Sequence, residues 1–452
     1  MIYRQTPDAP YSPEIRTRIA LNAKRLRDPY YQIEQVFADP AYDWPGDKEG
    51  RALLAFVSHY KATGEINPCM PAMLRQLPDR VNEKGYLGPV MGEVISEQAL
   101  SGHSWLLRGL CEHYEQFLDD VSLDAIRAVV EGLYLPTAGH FAEYPTTRDE
   151  RGDGGVSGHS GTVVGCWNLS SDTGCAFMAF DGLSHAYKVT HDERIHALID
   201  EMLDAIDAMD IYQLKFQTHC SLTAARGFVR MYNCTEDSRY LVAAKDVWNR
   251  YVFNRGMTAT FQNVNWWQRP DSWTEPCAIV DSIILSCELY KITRQDKYRR
   301  LAARAFHNGL ASAQRPNGGA GTDTVVFPGD PELPDIPACH ELRMDMYEAP
   351  FCCTMRLAEG LWYIDKNADL LYYEIERREN GEMYVTKDAM GRYMCGDLLL
   401  AEIVIPEGAE LDGWTPPAPA AVVDGHKLTP LLKFYTLPDA VARVVRQRVL
   451  FP

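Results

Sequence analysis

The chain has 452 residues, of which 46% are hydrophobic and 24% charged; this is the balance of an ordinary globular protein with enough apolar side chains for a large core. Its formal net charge of −17 excludes an electrostatic footprint for nucleic acid and disfavours anionic membrane surfaces. No stretch approaches the roughly 20 apolar residues that a membrane-spanning helix needs, and the text MIYRQTPDAPYSPEIRTRIALNAKRL lacks the basic cap and apolar run of a signal peptide. A cytoplasmic protein without nucleic-acid or membrane partners is therefore expected. Its 12 cysteines should then serve as thiols and metal ligands, not as a disulfide framework. Cys111, Cys234 and Cys287 lie in helical text and read as inert core residues.

In chain order, residues 13–40 are predicted as a first helix with Ile19, Ala20, Leu26 and Val36 among its apolar positions. Turn chemistry follows at 43–47, then a helix over RALLAFVSHYKATGE. The end of that helix returns along the chain. HYKATGE, AYKVTHDERI, MYNCTEDSRYL and LYKITRQDKYR each close an apolar helix on a Tyr (Tyr60, Tyr187, Tyr232, Tyr290) with a Thr shortly after it, and each then opens another helix. Such spacing suits repeated antiparallel helix pairs, in an open solenoid or a closed α/α toroid. Three long insertions favour the toroid, which carries its site on loops at one end. They run over residues 82–105, 143–174 and 258–277. From residue 366 the text alternates and is broken by Asn-Gly and Gly signals, so a small β-rich module is predicted. The predicted architecture is mainly α, with domains at 1–365 and 366–452.

Two short pieces constrain the chemistry most: Glu275-Pro276-Cys277 and Cys352-Cys353. Together they offer one carboxylate and three thiols, a full ligand set for tetrahedral Zn²⁺ if folding brings them together. Buried cysteines without a metal are the alternative reading of the same residues. Trp266, Trp267 and Trp273 stand with Asn263 and Gln268 in the third insertion. Aromatic faces beside amides suit a sugar, and hydrophobic packing at a barrel mouth accounts for them equally well.

The text WTEPCAIVDSIILSCELYKITRQDKYRRLAARAFHNGLASA, followed later by YEAPFCCTMRLAEGLWYI, resembles the catalytic region of glycoside hydrolase family 127, the β-L-arabinofuranosidases and their relatives. The resemblance implies an (α/α)6 barrel and a zinc ion held by Glu275, Cys277, Cys352 and Cys353. It also implies that Cys352 is the nucleophile of a retaining cycle on an arabinofuranoside or a related plant-polysaccharide sugar. Glu97 and His103 look like the family's sugar-contact segment, and His219 matches a further contact histidine. Where the family has a second contact histidine, this chain reads Gly174-Cys175-Ala176. The family's acid/base Glu is also missing: between Val252 and Thr274 the sole carboxylate is Asp271. Asp271 is the expected substitute, with Glu93, Glu97 and His219 as further candidates.

Two other readings keep the barrel and change the job. One is a sugar epimerase or uronyl hydrolase that does not use the thiols. The other is a non-catalytic sugar-binding protein clamped by zinc. A small-molecule or oligosaccharide partner is expected in each case, and assembly into a homodimer is left open.

Overall fold

This computed structural model describes residues 13–37, 43–151, 160–269, 272–323, 325, 348–372 and 385–401, and the strand residues 421–423, 426–430, 435–436 and 443–444. Its helices are organised by the way they stop. At each recurring Tyr the helix ends in a left-handed residue four positions on. Gly64, His191, Glu236 and Arg294 each donate their N–H to the carbonyl of Tyr60, Tyr187, Tyr232 and Tyr290 respectively, at 2.7–2.8 Å. The Thr between them closes the motif from both sides. Thr63, Thr190, Thr235 and Thr293 each donate to the carbonyl one turn back and accept the N–H two residues on. The signature is therefore a C-terminal cap that turns the chain out of one helix and into the next.

Twelve longer helices are α1 Pro13–Arg25, α2 Asp47–Thr63, α3 Cys69–Gln76, α4 Glu97–Phe117, α5 Asp120–Val129, α6 Ala179–Thr190, α7 Glu193–Asp207, α8 Thr218–Thr235, α9 Ser238–Phe253, α10 Pro276–Thr293, α11 Asp296–Arg304 and α12 Cys353–Lys366. The even-numbered helices form an inner ring: α2 packs on α4, α4 on α6, α6 on α8, α8 on α10, α10 on α12, and α12 returns to α2. Each odd-numbered helix lies against an inner neighbour, with α1 completing the outer layer against α12. This closed ring is an (α/α)6 toroid. The α2–α4 crossing is close enough to require glycine, since a Cβ on Gly50 would lie 2.1 Å from backbone atoms of Trp105 and Leu106.

Two expectations need correction here. The first helix does not run to residue 40. It stops at Arg25, Asp28-Pro29 opens a single 3₁₀ turn at Pro29–Tyr31, and a short helix follows at Ile33–Val36. Cys234 is exposed rather than in the core, because it sits in the last turn of α8 beside the capping Thr235.

Three insertions lead into the inner ring. The first is shorter than expected, since residues 97–105 already belong to α4; before them it holds a short strand, β1 Ile95–Ser96, which pairs in parallel with β3 Trp167–Ser170 of the second, and β3 also pairs antiparallel with β2 Ser160–Val164. The third folds back through a bridge from Gln217 to Trp266. After α12 the strands β4 Thr386–Lys387, β5 Tyr393–Cys395, β6 Leu398–Ala401, β7 Ala421–Val423 and β8 His426–Pro430 form an antiparallel sheet in the order β4-β5-β6-β8-β7. Asn308, beyond α11, ties it to the toroid by accepting the Leu399 N–H at 2.8 Å and donating to the Asp397 carbonyl at 2.8 Å. No helix among the described residues is long and apolar enough to cross a membrane.

Candidate metal centre

Glu275 is the N-cap of α10, Pro276 its first residue and Cys277 its second. Proline suits that first position because no N–H is needed there. The Glu275 N–H donates to the Asn263 side chain at 2.6 Å, which fixes the end of the third insertion. Across the mouth, Cys352 is the N-cap of α12 and Cys353 its first residue. That end is anchored by the outer layer: Arg25 of α1 pairs with Glu348 at 2.8 Å, and Glu348 accepts from Thr354 at 3.0 Å.

Folding brings the four ligand atoms into one cluster, all within 4.8 Å of each other. The Sγ atoms of Cys277 and Cys352 are 3.1 Å apart, those of Cys277 and Cys353 3.6 Å, and those of Cys352 and Cys353 3.9 Å. Cys352 Sγ lies 3.6 Å from Glu275 Oε1. Zinc with Zn–S bonds of about 2.3 Å and a Zn–O bond of about 2.1 Å at tetrahedral angles requires S···S of about 3.8 Å and S···O of about 3.6 Å. The measured spacings bracket those values and are far too long for a disulfide. Glu275 Oε2 is a buried oxygen without a protein hydrogen bond. The donor set therefore fits a divalent metal of the zinc type. Cys277 and Cys353 are fully buried, whereas Cys352 is half-buried, the least buried of the three cysteines.

Charge around the cluster favours thiolate. Two inner helices point their N-termini, the positive ends of their dipoles, at the sulfurs. Arg51 donates to Cys277 Sγ at 3.5 Å and pairs with Asp47 at 2.8 Å, one helical turn away on α2. Hydrogen bonds from Cys277 and Cys353 hold the Cys352 thiol well below its ordinary value, against its burial and with help from Arg51 and His219. Burial pushes Cys277 and Cys353 up; a bound metal would deprotonate every sulfur it ligates.

His219, on α8, sits between Glu275 Oε1 at 3.2 Å and Asp281 Oδ2 at 3.3 Å, stacked on Trp105. Its burial lowers the pKa, but Glu275 and Asp281 outweigh that and push it up to about 9. Beyond it a buried ion ladder runs along the toroid axis. Asp281 accepts from Arg226 at 2.5 Å and from Arg356, Arg226 reaches Glu359 at 2.6 Å, and Glu359 pairs with Arg108 at 2.8 Å. The ladder ends at a cavity of about 300 Å³ lined by Arg108, Lys188, Arg230 and Trp362, toward the C-terminal ends of the inner helices and away from the sulfurs.

The remaining expected site residues occupy different environments. His103 is fully buried, with Nε2 accepting the Leu87 N–H at 3.0 Å and Nδ1 on the Ala99 carbonyl at 2.8 Å. Burial lowers its pKa to about 4. Glu97 is fully buried and commits both oxygens to protein: Arg151 at 2.9 and 3.1 Å, the Ser170 N–H at 2.6 Å and the Tyr144 hydroxyl. It thereby ties the first insertion to the second. Trp267 is fully buried against Tyr212. Trp266 is buried as well: it packs edge-on against half-buried Trp273 at 5.0 Å, and its indole N–H is buried without a protein partner. Glu93 is exposed, and Asp271 lies outside the described residues. Asp47, Arg51 and Asp281 were not singled out from sequence. The Asp47/Arg51 spacing of one helical turn at a helix start was the available signal.

Residues 85–366 match the family described as β-L-arabinofuranosidase, GH127 catalytic domain. Among solved structures, the chain is similar to a sugar epimerase from a ruminal bacterium, with 12% identity, 78% of this chain and 98% of that one covered, and a TM-score of 0.53. It is also similar to a glycosyl hydrolase of family 88 from Bacteroides vulgatus, with 11% identity, coverage of 79% and 99%, and a TM-score of 0.50. Likeness at these identities is one of fold. A GH127 β-arabinofuranosidase is matched at 13% identity and a TM-score of 0.49 over 78% of this chain and 56% of that one, so the chain spans little more than half the length of that relative. No curated protein sequence matches the chain.

Proposed function

The chain belongs to the family of the GH127 β-L-arabinofuranosidase catalytic domain, and from that premise we propose that it is a retaining glycoside hydrolase acting on an arabinofuranoside or a related plant-polysaccharide sugar. The observation that carries this reading is the meeting of Glu275, Cys277, Cys352 and Cys353 within 4.8 Å of one another, with Cys352 the least buried of the three cysteines. Bound there, Zn²⁺ would keep its ligand thiols deprotonated near neutral pH, where a free thiol is mostly protonated. Cys352 attacks the anomeric carbon, forming a C–S bond as the C–O bond to the aglycone breaks. A carboxylic acid protonates the departing oxygen and, once ionised, takes a proton from the water whose oxygen bonds to the anomeric carbon as the C–S bond breaks and Cys352 leaves as thiolate. We assign that role to Asp271, the one carboxylate between Val252 and Thr274.

Arg51 and His219 hold the anionic ligand set in place, and Asp281 orients His219. Of the expected sugar contacts we retain Trp266, whose indole N–H is buried and unpartnered beside half-buried Trp273. Glu97 and His103 shape the mouth from behind, through the backbone and the second insertion. We place the catalytic unit at residues 1–365 and a reduced β module at 366–452.

The test is hydrolysis of an aryl β-L-arabinofuranoside by the native chain, Cys352→Ala and Asp271→Asn. The proposal expects turnover by the native chain and a loss of about 10³-fold or more in Cys352→Ala. Undiminished turnover in Cys352→Ala would transfer the chain to the thiol-independent epimerase or uronyl hydrolase reading.

A further inference from the structure

A second group of side chains of metal-ligating type lies on the surface, apart from Glu275, Cys277, Cys352 and Cys353. We propose that His140, Glu143 and Cys166 form a second site for a borderline divalent cation such as Zn²⁺, which clips the β2–β3 hairpin to the segment before it. The three ligand atoms lie within 4.8 Å of one another. Cys166 Sγ is 3.7 Å from His140 Nδ1, against about 3.6 Å for sulfur and nitrogen sharing one tetrahedral zinc. Thiolate, carboxylate and neutral imidazole together carry two negative charges, so a divalent ion makes the site neutral. Sulfur and imidazole select zinc-type ions over magnesium or calcium.

The local backbone presents these ligands ready-made. His140 precedes a 3₁₀ turn at Phe141–Glu143. Side chains three apart eclipse on such a turn, which puts His140 and Glu143 on one side. Cys166 sits in the two-residue loop of the hairpin, where Gly165 adopts a φ of 58°. Both pieces are fixed from behind. The Trp167 indole donates to the His140 carbonyl at 3.3 Å, Phe141 packs edge-on against Trp167 at 5.0 Å, and Glu201 accepts the Gly139 and Phe141 N–H groups at 2.7 and 2.8 Å. His140 and Glu143 are exposed and Cys166 is half-buried, so the fourth position faces solvent. An ion there would stiffen β3, whose partner β1 runs directly into Glu97 at the mouth.

Cobalt titration tests the site, because Co²⁺ bound to thiolate absorbs strongly. The native chain, Cys166→Ser and His140→Ala are titrated after chelation and dialysis. The expected result is one thiolate-bound equivalent fewer in each variant than in the native chain, a weakened but countable equivalent in Glu143→Gln, and protection of Cys166 from alkylation by added Zn²⁺ in the native chain. Circular dichroism of the metal-free proteins confirms that the surface variants are folded. Equal stoichiometry in the native chain and Cys166→Ser, or alkylation of Cys166 at the same rate with and without Zn²⁺, overturns the proposal. The count is a difference between proteins that all keep Glu275, Cys277, Cys352 and Cys353, so it reads the surface site whether or not the mouth ligands bind metal.

Discussion

Replacing Arg51 with Met removes a cation that touches both a cysteine sulfur of the cluster and a buried carboxylate, and the two losses can be measured apart. Arg51 stands 3.5 Å from Cys277 Sγ and 2.8 Å from Asp47 Oδ1. At an effective dielectric near 20, unit charges 3.5 Å apart interact by on the order of 5 kcal/mol, an upper bound because the metal shares the sulfur's charge. Outer partners of metal ligands typically change affinity by about 10–100-fold, or about 1.4–2.7 kcal/mol. Arg51→Met should therefore weaken zinc binding by that factor, measured by competition with a chromophoric chelator. It should also lower stability to urea by about 3–5 kcal/mol, because Asp47 is left buried and unpaired. In the double variant Asp47→Asn/Arg51→Met most of the stability should return while zinc affinity stays low. Native-like zinc affinity in Arg51→Met, or its recovery in the double variant, would refute the claim that Arg51 acts on the cluster.

Asp281→Asn should destabilise the fold by about 3–5 kcal/mol, since Arg226 and Arg356 both rely on that carboxylate; an unchanged urea midpoint would show the ion ladder to be dispensable. Stability should fall as the pH drops from about 6.5 toward 4. His59, His103 and His185 are buried neutral with pKa values lowered to about 4, so below 6.5 the unfolded chain takes up protons that the folded chain refuses. Each contributes up to about 3 kcal/mol, and His103→Gln should flatten the urea midpoint between pH 7.5 and 5. Glu97→Gln should loosen the second insertion, because Arg151 loses its charged partner; faster limited proteolysis between residues 143 and 174 is the readout, and unchanged cleavage counts against a tying role for Glu97.

Local chemistry was legible in the sequence, and contacts between distant segments were not. The Tyr-x-x-Thr endings mark four helix caps because a cap is made within a few residues. The same ring has two further inner helices that the signature misses. One, α4, ends at Tyr114 with Leu118 left-handed and no Thr, and the other, α12, ends at Tyr363 with Asn367 outside the left-handed region. Glu275, Cys277, Cys352 and Cys353 offered a zinc ligand set by residue type but fitted buried free thiols as well, and the family resemblance is what grouped them, because their convergence is a long-range event. His103 and Glu97 matched a sugar-contact segment by spacing, but spacing does not reveal that Leu87, Ala99, Arg151 and Ser170 already occupy their polar atoms. The axial ladder was hidden for the same reason: Arg108, Arg226, Asp281 and Glu359 come from four different helices and look like ordinary helical charges in the sequence.

Zinc-edge X-ray absorption on Cys166→Ser, purified without chelator, examines the mouth cluster with the surface site removed. The account predicts one zinc per chain, with three sulfurs at about 2.3 Å and one oxygen at about 2.0–2.2 Å. A protein that carries no stoichiometric metal, or a zinc shell of nitrogen and oxygen alone, would contradict it.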